Sequence, residues 1–110
     1  MNLNKFSDKI VFSSLKYIKH GKLKIINHDG EVYNFGNDKE KLHAHLKINK
    51  PGLTLKIIKN GSIGLAEAYM DNCFETENLT NLIELAAKNI KIIHKFSGSF
   101  DIAIFNKIKN

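Results

Sequence analysis

The chain has no arginine and no tryptophan, one cysteine and one proline. It also has no apolar run near the roughly 18 residues of a membrane-spanning helix. Each shortage excludes something. Cys73 stands alone, so no internal disulfide forms and no cysteine cluster binds zinc. Without arginine, the bidentate fork that reads guanine and clamps phosphate is missing. The 17 cationic side chains are all lysine, set against 11 carboxylates, for a net charge of +6. Lysine supplies positive potential without fixed geometry. The balance therefore suits loose attraction to an anionic membrane surface better than specific reading of nucleic acid. Lys, Asn and Ile are all abundant, which an A/T-rich coding sequence also produces. Lys5, Asp8 and Lys9 precede any apolar run and no small-residue cleavage site follows. The expectation is no secretory signal and a cytoplasmic location.

What is present suits one globular domain. A hydrophobic fraction of 43% over 110 residues argues against disorder and for a single modest core. The expected domain spans 1–110, with its core at about 8–92 and a tail at 93–110 broken by Ser97, Gly98 and Ser99. Residues 8–19 read as an amphipathic helix, capped by Ser7 and ended at Gly21, with Ile10, Val11, Leu15 and Ile18 near helical spacing. Residues 23–27 and 31–35 read as strands of a hairpin, with Asp29-Gly30 supplying the positive-φ positions of a tight turn. Residues 42–48 alternate as a third strand, with Leu42, Ala44, Leu46 and Ile48 on one face and His43, His45 and Lys47 on the other. Residues 53–59 fit either a helix or a short strand, because Ile58 spoils the alternation of Leu53, Leu55 and Ile57. Residues 78–90 read as a helix capped by Thr76 or Asn78, with a buried stripe of Leu79, Leu82, Ile83, Ala86 and Ile90. The fold class is α+β: a small sheet of three or more strands, with an N-terminal hairpin, packed with several helices.

Residues 61–71 carry the most information. Gly61 and Gly64 suggest a tight turn followed by close approach of a helix to another backbone. Ala66, Ala68 and Met70 then favour helix, while Glu67, Tyr69 and Asp71 put polar groups into an apolar stretch. Glu67 and Asp71 are four apart and would share a helix face. Two such carboxylates can do acid-base work or hold a cation, but more often they anchor loops or contact lysines. His43 and His45 would face the same way on a strand, yet further metal ligands are not evident, so they read as exposed strand histidines and no metal is expected. Cys73 has no local signature of a base and reads as an inert thiol. Gly61-x-x-Gly64 lacks the third glycine of a dinucleotide or methyl-donor turn.

The stretch from Gly61 to Asp71 resembles the segment that precedes the methyltransferase domain in cyclopropane-fatty-acyl-phospholipid synthases. Gly21 to Ile25, His28-Asp29-Gly30, and Tyr33 to Gly36 are similar to that family's opening pattern, and Glu77 to Leu82 to its entry into a Leu-rich helix. Where the family has glycine and bulky aromatics after Tyr-Met-Asp, this chain has Asn72, Cys73 and Phe74. Asn72 can still take a left-handed turn. The resemblance implies a non-catalytic lipid-associated domain, an α+β unit likened to sterol-carrier folds, with no methyltransferase activity of its own. It implies lipid or partner contacts at Gly61, Gly64, Glu67, Tyr69, Met70, Asp71 and Phe74, and no catalytic residues. S-adenosylmethionine would enter only with a separate methyltransferase-domain chain. The implied partners are that chain and an anionic phospholipid surface, which places the domain peripherally at the inner face of the membrane. Survival as a gene remnant is the other form of this reading. A small basic nucleic-acid-binding protein is the alternative from a different class, although no specific nucleic acid is expected.

Overall fold

A computed structural model describes residues 2–92, so the expected break at Ser97 to Ser99 lies outside the described residues. In chain order the elements are α1 (Leu3–Leu15), β1 (Lys22–Ile26), β2 (Val32–Gly36), β3 (His43–Ile48), α2 (Leu53–Met70), β4 (Phe74–Glu75) and α3 (Leu79–Lys88). The strands form one mixed sheet in the order β2-β1-β3-β4. β1 pairs antiparallel with β2 and parallel with β3, and β3 pairs antiparallel with β4.

Alternation along the strands splits the sheet into two faces. Leu23, Ile25, Ala44, Leu46 and Ile48 are buried on the inner face, with Phe74 from β4. Val11, Leu15, Leu53, Ile58, Leu82 and Leu85 from the helices complete the same core. On the half-buried edge, Phe12 of α1 lies 4.7 Å from the Tyr33 ring and 6.2 Å from Phe35 of β2. Lys22, Lys24, His43, His45 and Lys47 alternate with the core residues and point to the outer face. The result is a single α+β domain with helices on one side of a small sheet.

The parallel β1–β3 pairing forces the chain after β2 to cross the end of β1 within a short loop. Gly36 makes this possible. A Cβ there would stand 2.1 Å from the Gly21 carbonyl oxygen, and Gly36 itself has φ +91°. The Lys22 N–H donates to the Leu42 carbonyl at 2.8 Å, which seals the crossing. Gly21 therefore belongs to this crossing and not to a helix cap.

Several sequence expectations shift. The first helix runs over Leu3–Leu15, not 8–19. Asn2 caps it, its side chain accepting from the Lys5 N–H. Ser7 instead lies buried inside the helix, its hydroxyl donating to the Leu3 carbonyl. The hairpin turn is wider than a two-residue turn. Gly30 alone takes positive φ there, and Asp29 accepts from the Glu31 N–H at 3.0 Å. The ambiguous 53–59 stretch is helical. In α3, Asn78 is the cap, accepting from the Asn81 N–H, whereas the Thr76 hydroxyl donates to the His45 carbonyl. Leu82 and Leu85 make its buried stripe, and Ile83 is 54% exposed. β4, only two residues long, left no pattern that alternation could detect.

Candidate functional site

The two glycines make a corner in α2. Gly61 has φ 57° and ψ −130°, which breaks the helix into two halves. Only glycine tolerates that region comfortably. Gly64 then sits against the first half: a Cβ at this position would meet the Lys56 carbonyl oxygen at 1.9 Å. In a straight helix residues eight apart are about 12 Å apart along the axis. Their contact here shows that the second half folds back along the first. The expected tight turn and close backbone approach are both present.

The two carboxylates of the motif hold this corner shut. Asn60 donates its side-chain amide to Glu67 Oε1 at 3.1 Å, and Lys56 Nζ donates to Asp71 Oδ2 at 3.1 Å. That bond and the charge of Asp71 push the Lys56 ammonium above its ordinary pKa. Glu67 and Asp71 are thus each turned onto a polar group of the opposite half. Asn72 takes φ 59° and turns the chain out of the helix, while the Cys73 N–H donates to the Ala68 carbonyl at 2.8 Å. Cys73 is a buried free thiol. The next residue, Phe74, pairs with Ile48 and so fixes the end of α2 to the sheet.

The corner leaves an apolar groove between the second half of α2 and α3. Its volume is about 420 Å³, and Leu65, Tyr69, Met70, Phe74, Leu79 and Ile83 are among the residues that line it. The Tyr69 and Phe74 rings, 5.6 Å apart and tilted by 52°, form one end. Met70 is 71% exposed and Ile63, on the same half-helix, 69%. A second, smaller apolar cavity of about 70 Å³ lies deeper, lined by core residues such as Leu15, Ile25, Leu53 and Ile57.

Of the seven candidate residues, Tyr69, Met70 and Phe74 therefore line the groove. Gly61 and Gly64 shape the corner beneath it, and Glu67 and Asp71 brace that corner. Leu65, Leu79, Ile83 and Ala86 were missed as groove residues. The available signal was that α3 carries apolar residues on more of its circumference than a single core contact uses.

His43 and His45 lie elsewhere, on the outer face of the sheet, as expected from alternation. Among the described residues no group of three His, Cys, Asp or Glu side chains stands ready to hold a metal ion. No helix among them is long and apolar enough to cross a membrane.

Residues 10–97 match the model of a family described as a domain of unknown function, DUF7884. No curated protein and no solved structure matches the chain.

Proposed function

The chain belongs to the DUF7884 family, and we propose that it is a non-catalytic, lipid-associated domain of the cyclopropane-fatty-acyl-phospholipid synthase type. The observation that carries this reading is the apolar groove of about 420 Å³ between α2 and α3, with Met70 and Ile83 exposed at it. Its size is in the range of small-molecule sites, and its lining suits a hydrocarbon segment. Each methylene of an acyl chain buried there is worth about 0.8 kcal/mol, so five contribute about 4 kcal/mol. The net charge of +6 favours an anionic leaflet, each lysine near it adding about 1 kcal/mol. The resemblance of residues 61–71 supports the same reading.

In this role the domain sits peripherally at the cytoplasmic face of the membrane and presents lipid to a separate methyltransferase-domain chain. That chain would supply S-adenosylmethionine and the chemistry. The carboxylates of residues 61–71 are engaged in holding the α2 corner, which fits a domain that binds and does not catalyse.

The test is co-sedimentation with phosphatidylglycerol vesicles and with neutral vesicles, at low and high salt. The expected result is binding to anionic vesicles that high salt weakens without abolishing, because apolar insertion is not screened. Met70→Glu and Ile83→Glu are expected to remove the salt-resistant part while leaving the fold intact. Absence of vesicle binding, or binding to oligonucleotides alone with a steep salt slope, refutes the proposal.

A further inference from the structure

The outer face of the sheet is cationic and is turned away from the groove. Strand register puts its side chains in rows. Lys22 stands beside His43, Lys24 beside His45, and Ile26 beside Lys47. On the other flank Lys24 faces Asn34. Neighbouring strands are roughly 4.8 Å apart and same-face residues along a strand roughly 6.6 Å, so two lysines and two imidazoles converge on a small area. Lys22, Lys24, Asn34, His43 and His45 line a shallow polar concavity of about 240 Å³ there.

The acidic groups around this concavity leave its centre positive. Asp38 pairs with Lys22, and Glu77 reaches His45 Nδ1 at 3.5 Å. Glu75 is opposite Lys47 at the far edge, and Glu40 presents its backbone carbonyl to His43 Nε2 at 2.8 Å. The Lys24 ammonium, between them, has no ion pair or hydrogen bond among the described residues.

We propose that this concavity is a binding site for a phosphoryl group, held by Lys24 with His43, His45 and Asn34. Four donors around a pocket of this size fit the oxygens of one phosphate. The face has no arginine and no Phe, Tyr or Trp ring, so it lacks the forks and the large stacking platforms of nucleic-acid recognition. The flanking Lys22 and Lys47 raise the local potential, while Asp38, Glu40, Glu75 and Glu77 lower it. The phosphoryl group can belong to a soluble ester or to a phospholipid headgroup.

The experiment is amide and imidazole NMR of the whole chain titrated with inorganic phosphate, glycerol phosphate and phosphatidylglycerol vesicles. Expected are saturable shifts confined to the β1–β3 face, with affinity at least fivefold weaker in Lys24→Gln. Lys59→Gln, on α2, is the matched control with one lysine lost elsewhere. Response to soluble esters assigns a soluble ligand, and response to vesicles alone assigns a headgroup; either supports the site. Absent shifts, shifts spread evenly over all lysines, or equal loss in both variants overturn it. Lys24→Gln leaves the salt-resistant vesicle binding of the groove unchanged, so the two readings fail separately.

Discussion

Gly64→Ala tests the α2 corner directly. In an ordinary helix interior this change stabilises by about 1 kcal/mol. Here the new Cβ would stand 1.9 Å from the Lys56 carbonyl oxygen, where ordinary contact begins at 3.4 Å. The two helix halves must then part by about 1.5 Å, the difference between those distances. Both atoms belong to elements whose backbones are fixed, so no side chain can swing aside. Parting by that amount obliges the exposed Asn60–Glu67 and Lys56–Asp71 bonds, each 3.1 Å now, to re-form across a wider gap. Overpacking of this kind costs about 1–3 kcal/mol and more where backbone must move. Because backbone must move here the upper end applies, and about 3 kcal/mol less the propensity gain of about 1 leaves an expected net loss of about 2 kcal/mol, a large part of the stability of a small domain. Urea unfolding followed by circular dichroism measures it. Gly52→Ala is the comparison: that site has positive φ, unlike Gly64, but nothing within 4 Å of the added Cβ, so its loss should be near 1 kcal/mol. A Gly64→Ala midpoint equal to or above wild type would refute the corner and with it the floor of the groove.

Asn89→Ala should destabilise by about 2–4 kcal/mol in the same assay. The buried Asn89 side chain accepts from the Lys19 and His20 N–H groups and donates to the His20 and Leu85 carbonyls, so its loss strands several backbone groups. The Tyr33 phenol should ionise at about 12, chiefly because it donates to Glu31 Oε2 at 2.5 Å, with burial and nearby carboxylate charge adding to the shift. Its folded pKa lies above the unfolded value of 10, so its contribution to stability is complete below pH 10 and is lost as pH rises through 12. Tyrosinate absorbance, by difference from Tyr33→Phe, reads the step, and Glu31→Gln should move it down. Cys73 should resist thiol reagents in the native state and react fully in urea, since it is 2% exposed; rapid native labelling would contradict its placement.

Sequence alone determined much of this domain. Alternation at Leu23 and Ile25, and at Ala44, Leu46 and Ile48, fixed which strand faces meet the core, because burial on a pleated strand repeats every two residues. It also placed His43 and His45 outward. Gly61 and Gly64 announced a turn and a close approach, and Asn72 a left-handed exit, because few residues tolerate those backbones. Tertiary structure decided the rest. The parallel β1–β3 pairing and the two-residue β4 depend on contacts between distant segments, which no local period encodes. Residues 53–59 are helical, with Leu53, Thr54 and Ile58 buried at helical spacing, a pattern that the overlapping alternation of Leu53, Leu55 and Ile57 masked. Ile83 left the core for the groove: a helix fixes which residues share a face, but only its neighbours decide which face is buried.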